Sequence, residues 1–176
     1  MGLALPKLLL HVCCGPCATH VIDVLREDYA VTLFFSNSNI APYTEYQARL
    51  CSAEKLAVIT GLDMVTDIYD HEAWLAHVRG LEGEPEKGRR CAKCFEYNLR
   101  RSAHYARRLG YEHFTTTLTI SPHKDAATIF ETGRALGEFL ALDFKKGDGF
   151  RHSTELSKAY GLYRQQYCGC EFSIRA

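Results

Sequence analysis

This 176-residue sequence has no long hydrophobic run, no excess of either charge and no low-complexity segment. Nowhere do 18 apolar residues follow one another, which argues against a membrane-spanning helix. Lysine plus arginine and aspartate plus glutamate each number 21, so net charge supplies no attraction to nucleic acid, and any such surface must be a local patch. The opening Met1-Gly2-Leu3-Ala4-Leu5-Pro6-Lys7 lacks the apolar core and cleavage pattern of a secretory signal, and Leu8-Leu9-Leu10 runs directly into His11-Val12-Cys13. These absences predict a cytoplasmic protein with no membrane association. Hydrophobic residues make up 47% and charged residues 24%, the composition of a folded protein rather than a disordered one. No repeat or linker divides the chain, so residues 1–176 read as a single domain. A chain of this length buries about two thirds of its unfolded surface, enough for a core without covalent staples.

What the sequence does have is cysteine, eight in all. They are grouped, and in a reducing compartment grouped cysteines point to metal binding or redox chemistry rather than a disulfide framework.

Hydrophobic periodicity predicts an α/β fold built on a parallel sheet, with a helical elaboration. Residues 7–12 and 29–36 read as strands flanking a helix at 16–27, in which Val21, Val24 and Leu25 recur at helical spacing and Pro16 suits the first turn. A helix over 43–60 is closed by Gly61, and 63–67 is a third strand. A short helix at 71–79 and a polar loop at 80–88 lead to an amphipathic helix over 92–109, with Phe95, Leu99, Ala103, Ala106 and Leu109 on one face. The Thr-rich stretch 113–120 reads as β, and Ser121-Pro122 starts a helix to about 136. Residues 139–144 are a last strand candidate, and the tail from Ser153 is helical before a cysteine-bearing loop.

Three cysteine groups carry the chemistry. His11-Val12-Cys13-Cys14-Gly15-Pro16-Cys17 lies where a strand gives way to a helix, the edge at which parallel α/β folds bind ligands. The positive end of the helix dipole there favours thiolates. A single cysteine would read as a small packed hydrophobe; three within five residues do not. Cys91-Ala92-Lys93-Cys94 opens the long helix, where positions i and i+3 share a side. Alone, this spacing fits zinc, an iron–sulfur cluster or a dithiol, and its mid-chain position favours a metal. Cys168-Gly169-Cys170 closes the chain; it can chelate, or close a strained, labile disulfide, and is read as redox-active. Cys51, isolated in a helix, is given no role. Four thiolates from the first two groups suffice for Cys₄ zinc or a cubane cluster, and the adjacent pair Cys13-Cys14 tilts the choice toward iron–sulfur.

Beyond the cysteines, several blocks occur in order along nearly the whole chain: Asn37-Ser38-Asn39-Ile40-Ala41-Pro42, Gly88-Arg89-Arg90-Cys91-Ala92-Lys93-Cys94-Phe95, the run from Phe114 to Lys124, Asp143-Phe144-Lys145-Lys146, and Leu162 through Cys170. With the first cysteine group, these blocks resemble the QueH family, epoxyqueuosine reductase. The family often carries histidine where this chain has Ala41. The resemblance implies a nucleotide-binding-like (Rossmann-like, HUP-type) sheet with Cys13-Cys14 in the place of a phosphate loop. It implies a [4Fe–4S] cluster held by Cys13, Cys14, Cys91 and Cys94, and a redox-active pair, Cys168 and Cys170. The activity implied is two-electron removal of the epoxide oxygen from epoxyqueuosine at the tRNA wobble position, the last step of queuosine biosynthesis. The implied partners are that tRNA and an electron donor whose identity leaves no trace in the sequence.

A single cubane passes one electron at a time, so the Cys168/Cys170 dithiol is the natural two-electron reservoir. Cys17 is a spare thiolate for an additional iron or other metal ion. Proton-donor candidates are His11, His123, Tyr163 and Tyr167. Between Lys87 and Arg108 eight basic residues face only Glu96; with Lys145, Lys146, Arg151 and Arg164 they are candidate phosphate contacts. Two rival readings are a zinc-stabilised RNA-binding module and a thiol–disulfide oxidoreductase acting on proteins.

Overall fold

The computed structural model describes residues 4–174. Four parallel strands, β1 (Lys7–His11), β2 (Ala30–Phe35), β3 (Met64–Thr66) and β4 (His113–Thr116), form one sheet in the order β3-β2-β1-β4. The chain steps outward from β1 through β2 to β3, then returns to lay β4 on the other side of β1. The strand order therefore reverses between β1 and β4. At such a reversal neighbouring connections leave on opposite faces and open a crevice beyond the strand carboxyl ends.

Both faces of the sheet are covered, so its strands are almost continuously apolar. Leu8, Leu10, Val12, Leu33 and Phe35 pack with Val21, Ile22 and Leu25 of α1 (Gly15–Leu25) and Ala53 and Leu56 of α2 (Tyr43–Thr60). Leu9, Phe34 and Phe114 point the other way, onto Phe95, Leu99, Ala103 and Ala106 of α4 (Arg89–Leu109) and Ile129 of α5 (Ala126–Arg134). This alternation is the period-2 rule of a strand. Each such aliphatic or aromatic side chain contributes about 1.5–3 kcal/mol of burial. The short helix α3 (His71–His77), capped by the Asp70 carboxylate accepting Ala73 N–H, buries Trp74 in a small third cluster with Cys94 and Cys170. The last helix, α6 (Gly149–Ala159), lies on α1, and the Thr19 hydroxyl donates to the Ser153 carbonyl between them. At the carboxyl ends of β2 and β3, buried Asp67 accepts from Ser36 Oγ and pairs with Arg101 of α4. None of the helices among the described residues is long and apolar enough to cross a membrane.

Most expected elements are present, with four shifts. The expected strand over 113–120 ends at Thr116, and Thr117–Ile120 is a 3-10 turn. Thr116 Oγ1 accepts Leu118 N–H and Thr117 Oγ1 accepts Cys13 N–H, side-chain bonds that substitute for the ladder. α5 begins at Ala126 rather than Ser121, because the Asp125 carboxylate caps Ala127 and Thr128. The segment 139–144 makes a single bridge, Phe114 with Phe139, and is otherwise tethered by hydroxyls donating from Thr115 to the Leu140 carbonyl and from Thr119 to that of Leu142. The last helix starts four residues before Ser153, at Gly149.

Candidate metal and redox site

The β1–β4 crevice is where the first cysteines fall. The chain leaves β1 at His11, and Cys14, in extended conformation, caps α1 with Pro16 in the first turn. The sulfurs of Cys13, Cys14 and Cys17 all lie within 4.8 Å of one another. Gly15 permits the arrangement: a Cβ there would sit 2.5 Å from Ser52 Oγ and 2.9 Å from the Ser52 carbonyl, so only glycine lets α1 begin this close to α2. Hydrogen bonds from the Cys14 and Cys17 thiols, aided by Lys124 and by Thr117, hold the Cys13 thiol well below the ordinary range. The same interaction pushes Cys14 up to about 12 and raises Cys17.

The second pair stands in the opening turns of α4, whose N-cap is Gly88. Burial raises the thiols of both Cys91 and Cys94, and the nearby Cys168 and Cys170 add to it. The C-terminal loop is thus held over this pair. Arg49, 2% exposed, donates from Nη1 to the Cys168 carbonyl (2.9 Å) and from Nη2 to the Tyr167 carbonyl (3.0 Å), and pairs through Nε with Glu45 at 2.7 Å. Its guanidinium also lies 5.3 Å from the Tyr167 ring centre. Ala41 N–H donates to the Gly169 carbonyl, and Gly169 has a φ of +145°, a conformation reserved for glycine. All eight cysteines are unbridged.

A cavity of about 730 Å³ is lined by Cys17, Cys91, Cys168 and Cys170 together with His123 and Lys124, while Cys13, Cys14 and Cys94 lie outside its wall. Burial opposes the charge of Lys124, but Cys168, Cys13, Cys17 and Cys14 outweigh it and hold the ammonium above the ordinary lysine range. An ammonium therefore faces the thiols across the cavity.

The sulfurs divide by what they accept. Cys13 accepts from Thr117 Oγ1 (3.2 Å), Cys14 from Gln165 Nε2 (3.0 Å), Cys91 from Lys87 N–H (3.3 Å) and Cys94 from Asn98 Nδ2 (3.9 Å). Trp74 Nε1, buried with no other partner, also faces Cys94. Cys17, Cys168 and Cys170 accept no such bond among the described residues.

Other expected participants separate cleanly. His11 is fully buried; Nε2–H donates to the Ser36 carbonyl and Nδ1 accepts from Thr116 Oγ1, and burial lowers its pKa, so it is a neutral structural residue. The Tyr163 hydroxyl donates to Glu45 and that of Tyr167 to the Ala41 carbonyl, which leaves His123 on the cavity wall. The basic stretch is more neutralised than its composition suggests. Arg89 pairs with Glu84, Lys93 and Arg100 with Glu96, Arg101 with Asp67 and Arg107 with Glu138, mostly through acids supplied by other parts of the chain. Arg90 is buried and donates to the carbonyls of Leu81, Glu82 and Glu84. Sequence reasoning missed Lys124, Gln165, Trp74 and Arg49. Lys124 and Gln165 stood inside blocks that carry the family resemblance, and Arg49 left a signal of its own, a charge on the buried face of α2 otherwise formed by Tyr46, Ala53 and Leu56.

A parallel α/β sheet with a thiol-lined crevice at its strand-order reversal defines the class: a nucleotide-binding-type fold equipped for metal or redox chemistry. Comparison with known proteins is consistent. A solved structure from Methanocaldococcus jannaschii, described as a predicted subunit of a tRNA methyltransferase, superimposes with a TM-score of 0.59 over 86% of this chain and 75% of its own, at 14% identity, which establishes the fold alone. The family model for epoxyqueuosine reductase QueH matches residues 8–176, and the chain belongs to that family of oxidoreductases. Epoxyqueuosine reductase QueH of Streptococcus pyogenes is 39% identical over 97% of this chain and 71% of its own length. The protein of the same name from Thermotoga maritima is 35% identical over 95% and 90% respectively.

Proposed function

We propose that the chain is a one-domain iron–sulfur epoxyqueuosine reductase that converts epoxyqueuosine in tRNA to queuosine. Family membership supports the activity. The observation that carries the iron–sulfur assignment is the pattern of hydrogen bonds to sulfur. The four cysteines that accept from N–H or O–H donors outside the cysteine groups, Cys13, Cys14, Cys91 and Cys94, are the four that the family resemblance implies as ligands. Donors aimed at cysteine sulfur stabilise thiolate ligands and tune cluster potentials. Soft thiolates, a partnerless buried indole N–H and a facing ammonium together fit a thiolate-bound metal group. Bound by these four residues, a [4Fe–4S] cluster would supply single electrons, while Lewis acidity toward the epoxide oxygen would come from a metal beside it. Cys17, the third member of the triad, is left to hold an additional iron or other metal ion.

The chain's own residues then account for the rest. Exposed Cys168 and buried Cys170 form a dithiol on the cavity wall. Its closure to a disulfide releases two electrons and two protons; the epoxide takes both, loses its oxygen as water and becomes the alkene. An external donor returns two electrons and two protons to the disulfide. His123 and Lys124 stand beside the thiols to hold and pass the proton that the leaving oxygen needs.

The test is the visible spectrum and iron and sulfide content of anaerobically purified protein, before and after dithionite, followed by single turnover on epoxyqueuosine tRNA. The expected result is a brown protein with about four irons and four sulfides that bleaches on reduction. Cys168→Ser should keep the chromophore and lose turnover. A colourless, zinc-loaded protein that resists reconstitution would replace this reading with an RNA-binding module.

A further inference from the structure

We infer that Phe150 and Arg164 form a stacking shelf for the nucleobase next to the reacting nucleotide in the RNA strand. This rests on the tRNA reading above. Phe150 stands in the first turn of α6, belongs to none of the three apolar clusters and is 38% exposed at the wall of the cavity that holds Cys17 and Cys168.

The ring is nonetheless firmly placed. Gly149 precedes it, and a Cβ at that position would lie 1.9 Å from the Phe144 carbonyl oxygen, so α6 starts pressed against the Phe144 backbone. Ser153 and Ser157 are buried further along the helix, and Ser153 meets α1, the helix that carries Cys17. Phe150 and Cys17 are therefore set on two helices packed together.

Arg164 completes it. Its guanidinium carbon lies 5.7 Å from the Phe150 ring centre, steadied by donation to Ser157 Oγ and Thr154 Oγ1. Nearby Lys145 and Arg151 pair with carboxylates, but Arg164 has none within ion-pair distance among the described residues. An exposed ring with an unneutralised planar cation above it suits a single-stranded RNA: the ring and the guanidinium plane stack on a base, and the charge reaches a phosphate. Gln165, the residue after Arg164, donates to Cys14 Sγ, so one short segment links the shelf to the first cysteine group.

The experiment measures binding of an end-labelled anticodon stem–loop by fluorescence anisotropy under anaerobic conditions. It uses wild-type protein and the variants Phe150→Ala, Phe150→Leu and Phe150→Trp, with the base on either side of the wobble nucleotide removed in turn. Phe150→Ala should weaken binding by about 5- to 150-fold, the range for losing one stacked base. Phe150→Leu should be equally weak although it keeps apolar bulk and guards against a folding artefact, and Phe150→Trp should bind as well as wild type. In wild type, removing one of the two flanking bases should cost a similar factor; in Phe150→Ala the same removal should cost nothing more. The shelf is overturned if the two losses multiply, if Phe150→Leu binds like wild type, or if the variants leave RNA binding intact and instead slow reduction by a protein donor. If wild type itself does not bind the stem–loop, the tRNA reading falls as well, which separates the two failures.

Discussion

Replacing Arg49 by methionine perturbs the dithiol loop through a single buried side chain. The substitution keeps the length and apolar stem of the side chain but removes two charged hydrogen bonds to the carbonyls of Tyr167 and Cys168 and strands Glu45, whose side chain is only 11% exposed. Breaking a buried ion pair from one side costs about 3–5 kcal/mol, a figure that already includes part of the hydrogen-bond loss. Glu45 keeps the Tyr163 hydroxyl as a donor, so the lower end applies. The part that falls on the docking of the loop is the two bonds from the guanidinium to the carbonyls of residues 167 and 168, at about 1.5 kcal/mol each for a charged donor. About 3 kcal/mol at about 1.4 kcal/mol per decade raises the undocked population roughly 100-fold. The assay is the alkylation rate of individual cysteines in reduced, metal-free protein, followed by peptide mass spectrometry. Cys170, buried at 8% exposure, should react about 100-fold faster if its reactivity follows that undocked population. Cys168, already exposed, should change little. A variant whose melting temperature falls while Cys170 stays protected would refute the argument that Arg49 acts by holding the loop.

Gly169→Ala puts a side chain at a φ of +145°, with its Cβ 3.2 Å from Asn39 Nδ2, and should abolish turnover on the tRNA substrate at a cost of about 1–3 kcal/mol in stability, checked by single turnover and a denaturant titration. Gly15→Ala drives a Cβ into Ser52 and should lower stability by about 1–3 kcal/mol and reduce metal loading, since α1 must retreat with Cys14 and Cys17; unchanged iron content would count against this. Burial opposes ionisation of Asp67, but the bonds from Arg101 and Ser36 outweigh it and hold its carboxyl below the ordinary range. That stabilisation is complete above the unfolded pKa of about 3.9 and is lost as pH falls through the folded value, so wild type should lose more stability than Asp67→Asn on acidification below about pH 4. Thermal melts across pH decide it, with parallel curves as the refuting result.

Much of the fold was legible because its signals are local. Short apolar runs located β1 and β2, period-3.6 hydrophobicity located α1, α2 and α4, and Gly61 marked the end of α2 with a left-handed cap. Reading failed where threonine hydroxyls replaced backbone partners: Thr116 and Thr117 turn the end of β4 into a 3-10 helix, and nothing in β propensity announces that exchange. The cysteine groups were equally visible, since each is compact in sequence. The basic stretch misled, because its neutralising acids Glu84, Asp67 and Glu138 lie outside it.

The sequence by itself determined the residue types, the three cysteine groups and the nearly continuous apolar strands of a parallel sheet covered on both sides. Those properties depend on neighbours a few positions apart. Only the tertiary structure decided which groups meet. The β1–β4 reversal sets Cys13 beside Thr117, 104 residues away. The return of the C-terminal segment brings Gln165 to Cys14 and the Cys168 carbonyl to Arg49, across 151 and 119 residues. Contacts at such separations are fixed by how the layers pack around the sheet.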